Sequence, residues 1–143
     1  MTIDCDTQLT PDWIWAVMTI LQEARNQNLD GMIAVAEVIR NRAQAKFFSD
    51  GTIIGTVLNP YQFSGWNTKD PNRLICGKLT YDNPMTQQAM KAWRLAIMNN
   101  TEMTSGALYY HTKQMSPFPD WAKSGKLAVT ATIGDHIFYK DKV

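Results

Sequence analysis

The order of apolar and polar residues predicts an unusually apolar helix near the start of the chain. Residues 10–12, Thr-Pro-Asp, form a helix start, because a capping hydroxyl is followed by a proline and then an acid. No charged residue lies between Trp13 and Gln22, and this segment has no clean polar face. Such a helix is typical of the centre of a domain. We therefore expect a buried helix from Trp13 to about Asn26.

The next helix has an ordinary amphipathic pattern. After a turn at residues 28–31 it is predicted to run from about Met32 to Lys46. Its apolar stripe consists of Met32, Val35, Ala36, Ile39 and Ala43. Glu37 lies on the opposite side with Asn41 and Gln44, so we expect the Glu37 carboxylate to be solvated.

The rest of the chain predicts a long loop, a third helix and a small sheet. A short apolar piece at residues 53–58 precedes residues 60–84, which are rich in Pro, Gly, Asn and aromatics. Loops of that length tend to be functional. The next helix opens at Asn83-Pro84 and runs through Asn99. A strand at residues 107–112 and a hairpin at residues 129–139 complete an α+β fold, predicted as one domain over residues 1–143.

The composition is that of a globular domain without a nucleic-acid partner. The 143 residues are 45% hydrophobic and 19% charged, which suffices for one packed core. A net charge of +1 gives no long-range attraction to nucleic acid or to a membrane surface. Five tryptophans are typical of sites for flat or amphipathic ligands such as sugars.

Neither metal chemistry nor a membrane anchor is indicated. Cys5, Cys76, His111 and His136 lack the close spacing of structural zinc ligands, so we expect no metal or other cofactor. The sequence does not decide whether the two cysteines form a disulfide. His136 is expected to be a core residue whose ring nitrogens are hydrogen-bonded. The first residues carry no signal peptide, and the apolar run at residues 13–21 is too short to span a bilayer. We expect a monomer, made in a cytoplasm without a membrane anchor.

Glu23 is the candidate for chemistry. It is the first charged residue after the apolar run and falls beside Ala16 and Ile20 on a helical wheel. Burial and the negative end of the helix dipole both raise the pKa of a carboxyl, whereas Arg25 would oppose this. A carboxylic acid that is protonated near neutral pH can donate its proton to a glycosidic oxygen. Taken alone, a solvated helix glutamate is the commoner interpretation.

Five sequence blocks place Glu23 in a wider pattern. They are Gln22-Glu23-Ala24-Arg25 with Gly31 and residues 34–42 (AVAEVIRNR), residues 60–67 (PYQFSGWN), residues 106–111 (GALYYH), residues 119–122 (PDWA) and residues 133–139 (IGDHIFY). In this order the blocks resemble the spore-cortex-lytic, SleB-like family of cell-wall hydrolases in its phage endolysin branch, over about residues 13–139. One departure is Asn26, where family members usually have glycine.

The resemblance implies a lysozyme-like fold, with a helical lobe and a small antiparallel β-sheet. It also implies cleavage of peptidoglycan between N-acetylmuramic acid and N-acetylglucosamine, with the catalytic glutamate at Glu23. Family members are regarded as lytic transglycosylases, which form a 1,6-anhydromuramoyl end instead of adding water. Hydrolysis by paired acids needs two carboxyls, and no partner for Glu23 stands out in the sequence.

Side chains of the long loop and of the last third of the chain are candidates for sugar binding. Amide, hydroxyl and aromatic groups suit hydrogen bonds at sugar edges and stacking on an apolar face. The candidates are Gln62, Phe63, Ser64, Trp66, Asn67, Tyr109, Tyr110, His111 and Trp121. The alternative for Phe63 is inward packing, for Trp121 it is capping of the sheet, and for His111 it is a structural hydrogen bond. Tyr109 and Tyr110 alternate on a strand, so we expect one in the core and one in the groove.

The leading hypothesis is a phage endolysin whose partner is the peptidoglycan glycan strand. It would accumulate in the host cytoplasm and reach periplasmic peptidoglycan after release by a holin. One alternative is a muramidase that hydrolyses the same bond with water. Another is a non-catalytic peptidoglycan-binding or virion structural module. An amidase is disfavoured, because those enzymes usually need a zinc site.

Overall fold

The computed structural model describes residues 5–6, 8–60, 62–67 and 78–142 of the chain. Its elements are α1 (Asp12–Ala24), α2 (Leu29–Ala45), α3 (Ile53–Val57), a 3₁₀ turn (Ser64–Trp66), α4 (Pro84–Met98), β1 (Tyr109–Thr112), α5 (Asp120–Lys123), β2 (Leu127–Ile133) and β3 (His136–Asp141). Cys76 and much of the predicted long loop lie outside the described residues. Helices followed by a small sheet confirm the predicted α+β class.

Helix α1 is the buried central helix that its apolar sequence predicts. Ten of its residues are buried, including the polar Thr19 and Gln22. The predicted cap at Thr10 is wrong: Pro11 is the N-cap and has no side-chain hydrogen bond. The Thr10 hydroxyl instead accepts a bond of 3.4 Å from the backbone N–H of Asp6.

Helix α2 begins three residues earlier than predicted, because the Asn28 side chain caps it by accepting from the Gly31 N–H. The apolar stripe is buried as expected, but the prediction for Glu37 is wrong. Its carboxylate is 0% exposed and accepts from the backbone N–H groups of Met103 (2.9 Å) and Thr104 (2.8 Å). The chain after α4 therefore covers the face of α2 that its sequence marks as polar.

The three strands form an antiparallel sheet in the order β1-β3-β2, which leaves β1 at one edge. The predicted hairpin is β2 and β3, with Ile133 opposite His136. Strand β1 pairs with β3 so that Tyr110 lies opposite Phe138. Since paired residues share a face, Tyr110, Thr112, His136 and Phe138 lie on one side of the sheet.

Two hydrophobic clusters fix the sheet against the helices. The larger cluster joins α1, α2 and α4 and includes Phe63 and Trp66 from the loop before α4. The smaller one packs Phe138 against Ala34 and Val38 of α2, with Tyr110 beside it. This packing brings the start of β1 to the C-terminal end of α1. No helix in the described ranges is both long and apolar enough to cross a membrane.

Candidate active site

Glu23 lies at the meeting point of the helices and the sheet. It is the penultimate residue of α1, is half-buried, and lines a cavity of about 840 Å³. Its carboxylate accepts a hydrogen bond of 2.5 Å from the phenol of Tyr110 on β1. Burial raises the pKa of Tyr110 well above its ordinary value, and the Glu23 charge acts in the same direction. The phenol therefore keeps its proton and remains a donor to Glu23.

The cavity wall combines polar and aromatic groups from six stretches of the chain. The described residues that line it are Gln22, Glu23, Arg42, Phe47, Phe48, Gln62, Ser64, Tyr109, Tyr110, His111, Thr112, Met115, Pro119, Trp121 and His136. Of these, Glu23 is the only carboxylic acid. In the described part of the chain, no cluster of His, Cys, Asp and Glu could hold a metal ion. The wall thus provides one acid among hydrogen-bonding and stacking groups.

Arg42 is a site residue that the sequence interpretation missed. It is buried near the end of α2 and donates from Nε to the Leu108 carbonyl at 2.8 Å. Its guanidinium also lies 4.9 Å from the centre of the Phe63 ring. Burial lowers the pKa of Arg42, while Tyr110 and Glu23 partly oppose this, and an arginine stays charged under such conditions. The signal was Asn41-Arg42 at the end of the first block, which marked the family but was given no role.

The loop candidates separate into cavity wall and core. Gln62 and Ser64 line the cavity, whereas Phe63, which is 1% exposed, and Trp66 belong to the larger hydrophobic cluster. The indole N–H of Trp66 donates to the Thr19 hydroxyl of α1 at 2.8 Å. The predicted sugar contact of Phe63 and Trp66 is therefore wrong, because α1 needs both rings to complete its packing. Asn67 follows the 3₁₀ turn and is not among the lining residues.

The four residues of β1 all line the cavity. Successive residues of a strand point to opposite faces, so the cavity wraps around the free edge of the sheet. As expected of one of the two tyrosines, Tyr110 packs against the core, but it lines the cavity together with Tyr109. His111 lines the cavity and also has structural partners, with Nε2 2.8 Å from the Tyr139 hydroxyl. Trp121 lies on the wall, its ring centre 5.4 Å from that of Tyr109.

His136 is buried, as its place in the hairpin predicts, but it is not satisfied. It is 3% exposed, and its Nδ1 has no hydrogen-bond partner among the described residues. Its ring packs edge-on against Tyr110, with 5.1 Å between the ring centres. Burial lowers the pKa of His136, Asp135 acts to raise it, and His111 acts to lower it. The histidine is therefore a neutral neighbour of the Tyr110 and Glu23 pair at neutral pH.

Comparison with known proteins gives a consistent family. A family model described as cell wall hydrolase matches residues 26–139. The fold is similar to the crystal structure of the catalytic domain of the Bacillus cereus SleB protein, with a TM-score of 0.67 and 24% identity over 90% of this chain and 89% of that one. A comparison with curated protein sequences gave no match.

A second solved structure is also similar in fold. It is the catalytic domain of the germination-specific lytic transglycosylase SleB from Bacillus anthracis, with a TM-score of 0.64 and 22% identity. The match covers 95% of this chain and 100% of that one. The predicted lysozyme-like fold is confirmed. Because the family match begins just after Glu23, the role of this residue depends on the geometry of the cavity.

Proposed function

Because the chain belongs to the SleB-like family of cell wall hydrolases, we propose that it cleaves the N-acetylmuramic acid–N-acetylglucosamine bond of peptidoglycan as a lytic transglycosylase. One observation carries the proposal. Glu23 is the only carboxylic acid among the described residues that line the cavity, and a phenol holds it in place. Hydrolysis by a pair of acids would need a second carboxyl across the scissile bond.

The proposed reaction uses Glu23 twice. The protonated carboxyl first gives its proton to the glycosidic oxygen, and the bond from that oxygen to C1 of the muramic acid breaks. The acetamido group of the same sugar stabilises the positive charge that develops at C1. The Glu23 carboxylate then takes the proton from the sugar's 6-hydroxyl as that oxygen bonds to C1. The product is a 1,6-anhydro end, and no water is consumed.

The neighbours of Glu23 orient it and favour the carboxylate form, which takes the proton in the second transfer. Tyr110 fixes the direction of the carboxyl by its hydrogen bond. The buried cation of Arg42 interacts favourably with Glu23 and stabilises the carboxylate that exists between the two steps. Gln62 and Ser64, on the same cavity wall, offer hydrogen bonds to the sugar.

The test compares the Glu23→Gln variant with the parent protein on purified peptidoglycan, with mass spectrometry of the soluble products. We expect the parent to release fragments with anhydro ends and the variant to release none while keeping its melting temperature. Glu102→Gln is the matched control, since the Glu102 side chain is 61% exposed. It should release the same fragments as the parent.

Each other outcome points to a different conclusion. Reducing ends in place of anhydro ends would make the protein a muramidase that uses water. More than a few per cent of parent activity in Glu23→Gln would remove Glu23 from its role. Binding without any soluble fragment would make the protein a peptidoglycan-binding or structural module. Monomeric action as a phage endolysin, released from a host cytoplasm by a holin, remains a proposal beyond this test.

A further inference from the structure

We propose that the cavity contains a second glycan subsite, an aromatic row that holds sugar rings beyond the bond that is cleaved. The aromatic row consists of Phe48, Phe47, Tyr109 and Trp121, all of which line the same cavity as Glu23. This inference rests on the proposed function, because it identifies the occupant as a continuation of the strand that Glu23 cleaves. Two of the four residues, Phe47 and Phe48, had no role in the sequence interpretation.

The four rings follow one another along the wall. Ring centres are separated by 4.8 Å from Phe48 to Phe47, by 5.0 Å from Phe47 to Tyr109 and by 5.4 Å from Tyr109 to Trp121. Each ring contacts the next, so the four rings form one continuous aromatic surface on the cavity wall. Tyr109 and Tyr110 point to opposite faces of β1. The aromatic row is therefore on one side of the sheet edge, and the Glu23–Tyr110 pair is on the other.

Most of the row is held in place without a ligand. Phe47 packs over the guanidinium of Arg42, 5.6 Å from its ring centre. The Tyr109 phenol donates to Asp141 at 3.2 Å. The Trp121 ring meets Tyr139 edge-on, with 5.3 Å between ring centres. Rings that are already fixed lose little conformational entropy on binding, which favours affinity.

Phe48 is the residue that packing alone does not explain. Its side chain is 56% exposed, and its backbone has φ 47°, a left-handed conformation that is unusual for a bulky residue. Lys46, two residues earlier, is also left-handed with φ 52°. Backbone strain that presents an apolar ring to water is typical of ligand sites. A sugar stacked on the ring would cover this apolar surface.

The surroundings of the aromatic row favour a glycan strand as the occupant. Aromatic faces stack on the apolar face of a sugar, while its hydroxyls need hydrogen-bonding groups at the edges. Ser64, Gln62 and Thr112 supply such groups on the same wall. The row is also continuous with the Glu23 part of the cavity, so a strand that is cut at Glu23 has to leave along one of its walls.

The test measures binding of peptide-free glycans by calorimetry on the Glu23→Gln background, which binds without turnover. The probes are the N-acetylglucosamine–N-acetylmuramic acid disaccharide and its tetrasaccharide and hexasaccharide. We expect affinity to rise with length. Phe48→Ala should weaken the longer glycans about three- to tenfold, as expected for the loss of one aromatic contact, and leave the disaccharide unchanged.

Two further variants make the result specific to the row. Phe48→Tyr keeps a ring at the same position and should restore the length dependence. Trp13→Ala is the matched control, because Trp13 is an exposed ring near the start of α1 that does not line the cavity, and it should change nothing. Equal weakening of all three glycans by Phe48→Ala, or none at all, would overturn the subsite alone. If the background protein binds no glycan of any length, the proposed function falls with it.

Discussion

Glu23 and Tyr110 are 87 positions apart in sequence and are joined by one hydrogen bond. The helix pattern identifies the acid, because a charge that follows a long apolar run stands out. The strand pattern marks two neighbouring tyrosines without separating them. Which of them reaches Glu23 is decided by the pairing of Tyr110 with Phe138 and by the cluster beneath it. This contact between distant segments is invisible to local periodicity.

The Tyr110→Phe variant tests the importance of that hydrogen bond. The ring and its packing remain, but Glu23 loses the donor that orients it. Hydrogen bonds to charged groups contribute about 1.5–3 kcal/mol, so we expect kcat to fall by about 10- to 100-fold with little change in KM. Steady-state release of soluble muropeptides measures both constants. Tyr81→Phe, at a half-buried tyrosine that does not line the cavity, is the control. An unchanged kcat in Tyr110→Phe would show that Glu23 is oriented without it.

Glu37 shows what the amphipathic pattern of one helix can and cannot predict about burial. The amphipathic pattern of α2 correctly marks the side that faces the larger cluster. It does not predict that the backbone N–H groups of residues 103 and 104 donate hydrogen bonds to the Glu37 carboxylate on the other side. Arg40 is buried for the same reason and donates to the carbonyls of Ala96 and Thr101, each at 2.8 Å. Both charged residues serve the packing of α2 against the end of α4.

The elements themselves were largely predictable, because their signals are local. Three helices and the hairpin lie within a few residues of the predicted bounds. The loop before α4 was less predictable. Whether its aromatic side chains face the core or the solvent depends on how the loop packs against α1, which the local sequence does not show. Trp66 packs on Trp15, with 5.2 Å between ring centres, and is therefore part of the hydrophobic core. A sequence with Gln, Phe, Ser and Trp together fits both a sugar site and such a packed turn.

Gly65 allows the 3₁₀ turn to lie directly on α1. A Cβ at this position would come within 2.4 Å of Oε1 and 3.0 Å of Cβ of Gln22, the residue before Glu23, so it would meet both the amide and the base of that side chain. We expect Gly65→Ala to cost about 1–3 kcal/mol of unfolding free energy, as overpacking does, and to lower kcat by shifting the end of α1. Urea unfolding and muropeptide release measure the two effects.

A second glycine variant separates the loss of stability from the loss of activity. Gly125 has φ 79° and open space around its Cα, so Gly125→Ala strains the backbone without a clash. The Gly125→Ala variant should lose about as much unfolding free energy as Gly65→Ala and keep the parent kcat. If Gly65→Ala also keeps the parent kcat, contact between the turn and α1 does not position Glu23.

At the scale of the whole molecule, the cavity lies along the seam between the helices and the sheet. Apart from the Phe138 cluster, a polar link crosses this seam at the turn after α1. The Gln27 amide accepts from the backbone N–H of Asp135 and donates to its carboxylate, each at 3.0 Å. His136 follows directly in β3 and places a buried ring in the seam. The protonation of this ring is therefore coupled to the stability of the whole fold.

The stability of the protein should fall as the pH decreases from about 7 to 5. Burial lowers the pKa of His136 in the folded state, so the unfolded chain binds a proton at a pH where the folded chain does not. The free energy of unfolding then decreases as pH falls through the ordinary histidine range, by at most about 1.4 kcal/mol per pH unit. The hydrogen bond from Gln27 lowers the pKa of Asp135, whose contribution is lost only at more acidic pH. Urea unfolding at several pH values, in the parent and in His136→Gln, measures the effect. The variant cannot titrate here, so its profile should be flatter between pH 7 and 5 whatever its stability at neutral pH, and equal slopes would assign the dependence to another group.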